Sequence, residues 1–324
     1  MAKPAEVPGL APDTPVSVAA PLLVRSRLED VRQYEAAVSV DEGEPDVEAV
    51  HDMRVAARRL RAAMALFGRG DLADLEDEVK ALQDALGDVR DPQVQRAWLL
   101  ERGADGGTRA LVRWAEAGLP RAVKRLRRAV RAFDAAVAPE IERAASAAPG
   151  KGRLGGRRIA REVKDRLRTL KRRLAAARKA PNPRTAHRLR IAAKKLRYVA
   201  EVARPGFPAG AERVVEALAP LQERLGTLHD CDVRIARLSA LLRDGARRER
   251  REARTLLAWL RHDRARQRRA LAEELERWRE ERVVRSLRRR FTKGRRDRER
   301  LGRAGAGVRR ANGGAAPAAT SSGA

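Results

Sequence analysis

The sequence predicts an all-α fold made by internal duplication, and three observations carry that prediction. Helical periodicity dominates from about residue 21 to 290, with no convincing run of strands. The stretch His51-Asp-Met-Arg54-Val-Ala-Ala-Arg58-Arg59-Leu-Arg61 returns as His187-Arg-Leu-Arg190-Ile-Ala-Ala-Lys194-Lys195-Leu-Arg197. A second pair follows: Leu82-Gln-Asp-Ala-Leu-Gly87-Asp-Val-Arg90-Asp91-Pro-Gln93-Val94 matches Leu221-Gln-Glu-Arg-Leu-Gly226-Thr-Leu-His229-Asp230-Cys-Asp232-Val233. Two matched motifs in the same order in each half mean a repeated helical unit.

Taken in order, residues 1–20 (Pro, Ala and Val with Asp13 and Thr14) read as a disordered arm. The first repeat spans 21–147, with Pro45-Asp46 as the start of its His helix. Gly87, then Asp91-Pro92, reads as a helix stop and an N-capped restart, a tight corner carrying Arg90. The Pro- and Gly-rich run 148–156 is the linker. The second repeat spans 157–290, with Asn182 as N-cap and Pro183 at the first helical position. A loop at Pro205-Gly-Phe-Pro208-Ala-Gly210 and a second corner, carrying His229, follow. The stretch 291–324 turns basic, then Gly/Ala/Ser-rich, and reads as a disordered tail.

The repeated helices share a register. At about 100° per residue, Arg54, Arg58 and Arg61 lie within an arc of roughly 80° that includes His51. Met53, Ala56, Ala57, Leu60, Ala63, Met64 and Phe67 fall on the opposite side, as a buried stripe should. His187, Arg190, Lys194 and Arg197 repeat the polar arc, and Tyr198 joins it with a hydroxyl donor. The exposed face of each helix is therefore cationic and nearly free of acids. Arg59 and Lys195, Arg90 and His229 at the corners, and Arg161, Lys164 and Arg168 from a basic stripe at helical spacing are secondary binding candidates. A second such stripe runs through Arg121, Lys124, Arg125, Arg128 and Arg131. Ordinary solvated faces mix signs, as residues 249–282 do; these stripes do not.

On the two His-x-x-Arg helices and the two Leu-Gly-x-x-[Arg/His]-Asp corners, the chain resembles the CHAD family, the conserved histidine α-helical domain, over roughly residues 20 to 290. That resemblance implies two pseudo-symmetric antiparallel four-helix bundles with a basic surface between them, and binding of inorganic polyphosphate. It implies His51, Arg54, Arg58 and Arg61, with His187, Arg190, Lys194 and Arg197, as ligand residues. Gln93 stands where the family's corners carry Asp, as Asp232 does.

Composition points to an anionic partner independently. The chain carries 72 Lys+Arg against 44 Asp+Glu, a formal charge of +28, and a field of that size concentrates anions without naming one. Arginine outnumbers lysine, which suits bidentate hydrogen bonding to phosphate oxygens. Nucleic acid is the alternative partner, but aromatic residues make up only 3%, few for base-stacking platforms. His229-Asp230-Cys231-Asp232 are adjacent and point different ways, and cations surround each repeated His, so neither metal nor cofactor is expected. Glu76-Asp-Glu78-Val-Lys80 matches a triphosphate-tunnel signature that works on a strand; on a helix it reads as chance. With no P-loop, G-x-S-x-G or credible triad, the expectation is a binding protein and not an enzyme. One cysteine, no signal-peptide pattern and no long apolar run make a cytoplasmic protein off the membrane the expectation, with polyphosphate granules as a destination.

Overall fold

The computed structural model describes residues 4–40, 42–68, 70–102, 106–147, 150–245 and 247–289. Its helices are α1 (Val16–Arg32), α2 (Glu35–Val38), α3 (Val47–Phe67), α4 (Asp71–Asp74), α5 (Glu76–Leu100), α6 (Gly106–Glu116) and α7 (Leu119–Ala132). A π-helical turn at Phe133–Val137 joins α7 to α8 (Ala138–Ala147). After the linker come α9 (Arg157–Lys179), α10 (Pro183–Val202), α11 (Pro208–Asp244) and α12 (Arg247–Glu280). Among the described residues the only extended pairing is an isolated bridge of Pro15 with Arg153. The predicted tail at 291–324 lies outside the described residues.

The fold is two four-helix bundles. In the first, α1, α3, α5 and the α7–α8 rod pack in a ring; in the second, α9, α10, α11 and α12 do the same. Consecutive helices joined by short turns become antiparallel neighbours. The apolar stripe predicted for the first His helix is buried: Met53, Ala57, Leu60, Ala63 and Met64 are 0% exposed. Leu189, Ala193, Leu196 and Ala200 do the same on α10. Both His helices start where the sequence places them. The Asp46 carboxylate accepts from the Ala49 N–H at 2.7 Å. Asn182 accepts from the Thr185 N–H at 3.0 Å while Thr185 Oγ1 accepts from the Asn182 N–H at 3.1 Å, a reciprocal capping box.

Two boundaries differ from expectation. The arm predicted for 1–20 ends early, because α1 starts at Val16 and buries Val16, Ala19 and Ala20. The preceding residues lie along the linker, with Val16 N–H donating to the Gly152 carbonyl at 2.8 Å and Leu154 N–H to the Thr14 carbonyl at 3.0 Å. Pro-rich composition suggested disorder, but partners far along the chain satisfy this backbone. Nor do the two corners exist: α5 runs unbroken through Gly87 and Pro92, and α11 through Gly226. A proline removes one i→i−4 hydrogen bond, and a glycine costs about 1 kcal/mol relative to alanine. Burial of Leu86, Val89 and Leu99 along the same helix outweighs that. Gly87 serves a different purpose: a Cβ there would stand 3.0 Å from a terminal nitrogen of the Arg54 guanidinium, so its bareness makes room for Arg54. At Gly226 a Cβ would meet nothing within 4 Å.

The halves meet where α3 packs on α10 and α6 on α12. An outlying apolar cluster joins Trp98, Leu99 and Leu111 of the first half to Leu238, Leu257 and Leu260 of the second. At the α3–α10 contact, Arg59 Nε donates to Glu201 Oε2 at 3.0 Å, with side chains only 5% and 7% exposed. Arg197 Nε donates to the other oxygen, Oε1, at 2.8 Å. Removing one partner of a buried ion pair leaves an uncompensated charge. Glu201→Ala is therefore expected to destabilise the protein by about 3–5 kcal/mol, read as a shift in the chemical-denaturation midpoint. A loss below about 1 kcal/mol would mean water reaches Arg59.

Candidate functional site

Because α3 and α10 pack on each other, their polar arcs turn into common space. A cleft of about 300 Å³ is lined by His51, Arg54, Arg58, Arg90 and Asp91 from the first half, and by Arg190, Lys194, His229, Asp230, Arg234 and Arg237 from the second. A neighbouring cleft of about 260 Å³ takes in Arg61, Glu76, Gln83, Arg166, Lys195 and Tyr198. Arg58, Arg190 and Lys194 line both, so the two form one cationic track with those three side chains at the saddle. His187 is exposed and lines neither cleft; its ring is tilted against that of His229, a residue of the first cleft, with centroids 5.3 Å apart and an interplanar angle of 42°.

The empty track is electrostatically costly. Burial, then Arg58, Arg190 and Arg54, pushes the Lys194 pKa down to about 7. Burial, then Arg190, His187 and Lys194, pushes His229 down to about 4. The His51 pKa is lowered by burial and then by Arg90. Arg54 and Arg190 are both shifted down by burial and then by Arg58. A guanidinium does not lose its proton, so for these two the shift measures the cost of holding the charge there. Both also keep a buried Nε that hydrogen-bonds to no other group of the protein. Repulsion converges on one volume, and a multiply charged anion would relieve it.

Several sequence candidates lie elsewhere. Arg59, a secondary binding candidate, is instead the buried partner of Glu201, because its position on α3 faces α10 and not the cleft. Arg197 lines neither cleft; besides Glu201 it donates to Gln222 Oε1 at 3.1 Å. Arg61 does the matching thing, donating to Gln83 Oε1 at 3.2 Å, and also to Glu76 Oε1 at 2.9 Å. Gln83 and Gln222 occupy equivalent places in the second repeated motif, so the two halves repeat this contact in space. Glu76, of the apparent tunnel-enzyme signature, opens α5 instead of sitting mid-helix. Arg161, Lys164 and Arg168 lie on α9 and line neither cleft, and Arg168 pairs with Asp165. The α7 stripe is also outside both clefts, and its Arg125 pairs with Asp88 at 3.0 Å.

The residues around His229 do diverge. His229 and Asp230 face the cleft, Cys231 Sγ lies 3.3 Å from Asp263 Oδ2, and Asp232 accepts from Arg264 at 2.6 Å. At the equivalent position Gln93 donates to Glu44 Oε1 at 2.9 Å and to the Pro45 carbonyl at 3.3 Å. Among the described residues no group of three His, Cys, Asp or Glu is placed to hold a metal ion. Sequence reading missed Arg234, Arg237 and Arg166. The first two follow Asp230 at i+4 and i+7, on one face of α11.

The sequence model of the CHAD domain matches residues 22–239. In three dimensions the chain is similar to the crystal structure of the CHAD domain from the plant Ricinus communis. The TM-score is 0.66, and the likeness covers 85% of this chain and 96% of that one at 24% identity. No curated protein matches the sequence. Among the described residues no helix is long and apolar enough to cross a membrane. With all four repeated motifs inside the matched region, which spans more than half of the chain, and the all-α architecture shared, the chain belongs to the CHAD family.

Proposed function

We propose that this protein binds inorganic polyphosphate along the track between its two bundles, without catalysing a reaction. The observation that carries this reading is the convergence of repeat-related cations, Arg54 with Arg190 and Arg58 with Lys194, on one volume where Asp91 and Asp230 offset their repulsion only in part. A linear polyanion with a charge on every unit suits two adjoining clefts that share a cationic saddle. Rigid helices hold the donors in place and so lower the ordering cost of binding. His51 and His229 act as donors whose protonation the bound anion promotes, since its charge opposes the burial and the neighbouring cations that now lower their pKa values. Binding of this kind would carry the protein to polyphosphate granules. The track supplies charge neutralisation and hydrogen bonds, and we assign it no bond-breaking step.

Nucleic acid is the competing polyanion. Among the described residues, and apart from imidazoles, the only aromatic ring lining either cleft is that of Tyr198, which is 7% exposed and offers no stacking platform. Labelled long-chain polyphosphate challenged with duplex DNA, RNA and unlabelled polyphosphate, matched by phosphate and at two salt concentrations, separates the readings. Polyphosphate is expected to compete far better than either nucleic acid, with affinity falling linearly on a log–log plot against salt. Equal competition by all three would reduce the site to a generic polyanion surface.

A further inference from the structure

Two carboxylates sit inside a cleft whose other charged lining residues are cations. Asp91 and Asp230 both line it, and they occupy the same place in the second repeated motif, directly after Arg90 and His229. Neither is committed to a close ion pair. Asp91 Oδ1 lies 3.8 Å from Arg54 Nη1, at the outer limit of such a contact, and Asp91 is half exposed. Among the described residues Asp230 makes no ion pair: burial raises its pKa, while Arg234, Arg190 and Lys194 favour its charged form and Asp91 opposes it. Like charge placed against a polyanion is costly, and a fold does not need such residues when they hold nothing together.

We propose that Asp91 and Asp230 are resident counter-anions that limit the cleft's affinity: they offset the positive potential of the empty cleft and repel the incoming phosphoryl groups. This rests on the polyphosphate reading and assigns it a built-in brake. Without it, a cleft with this many cations would be held shut to exchange by whatever anion entered first. With it, a ligand must bring enough charge of its own to overcome two fixed negative charges. The alternative role for these residues is to position Arg54 and Arg190 for the ligand, and the two roles predict opposite signs.

The test is tripolyphosphate and long-chain polyphosphate binding by calorimetry to wild type, Asp91→Asn, Asp230→Asn and the double variant, each checked by thermal melting. Asparagine keeps the shape and removes the charge. Each single variant is expected to bind several-fold more tightly. The double variant should bind at least tenfold more tightly, the size expected when fixed charges a few ångströms from the ligand are removed at an intermediate dielectric. Its log–log salt dependence should also be steeper, because more cationic charge is left for phosphate to neutralise. Unchanged or weaker binding by variants that melt like wild type would overturn the brake and assign the carboxylates a positioning role. Absence of binding by wild type and double variant alike would overturn the polyphosphate reading and this one with it.

Discussion

Replacing Arg54 and Arg190 together with alanine is expected to remove most of the polyphosphate affinity, by roughly 150- to 20,000-fold. The range follows from about 1.5–3 kcal/mol for each charge-assisted hydrogen bond lost, taken twice. The two residues are repeat equivalents, lie on the helices that meet between the bundles, and line the same cleft. Both hold a charge that burial and Arg58 make costly. Their loss should therefore not harm the fold, and the melting temperature should hold or rise. Calorimetric titration beside a thermal melt reads both. An affinity within threefold of wild type would move the site off the α3–α10 seam and leave the net charge of +28 acting generically.

Lys194→Met carries the second large effect, because it separates stability from binding. The folded pKa of Lys194, about 7, lies below the ordinary lysine value of 10.5. Folding therefore opposes its charged form. That penalty is full below about pH 7 and fades as pH rises toward the unfolded pKa. Removing the charge should stabilise the empty protein at or below neutral pH, by about 1–4 kcal/mol as seen when buried charges give way to apolar groups. The gain should shrink toward pH 10.

Binding runs the other way. A bound polyanion raises the Lys194 pKa again, so the complex takes up a proton and wild-type affinity falls as pH rises through 7, by at most tenfold per pH unit for one proton. His229, with a free pKa of about 4, contributes the same sign at lower pH. Affinities at pH 6.5 and 8.5 for wild type and Lys194→Met check this. The variant should bind more weakly at pH 6.5 and lose most of the pH dependence above 7. A variant that kept the full pH slope would place the titrating group elsewhere.

Much of this architecture was legible in the residues. The Met53–Phe67 stripe, the Asp46 and Asn182 caps and the absence of strand patterning depend on local spacing and local hydrogen bonds, which sequence carries directly. Where long-range contacts overrule local preference, reading failed. Gly87, Pro92 and Gly226 are weak helix residues kept helical by packing along α5 and α11. Val16, Ala19 and Ala20 lay in a Pro-rich stretch whose partners are the linker and the first core. Arg59 and Arg58 are adjacent in sequence and alike in chemistry, yet one is spent on Glu201 and the other lines both clefts.

Local spacing alone settles that the chain is helical, that two motifs recur in it, and which face of each repeated helix is cationic, because a periodicity of 3.6 residues is a property of each segment alone. Only the tertiary structure decided that the two faces share one track, that Arg59 and Arg197 are spent on Glu201, and that Asp91 and Asp230 stand among the cations. Those outcomes depend on how α3 crosses α10 and how far α5 and α11 continue. Packing energy summed over the whole core sets both, and no single segment encodes that sum.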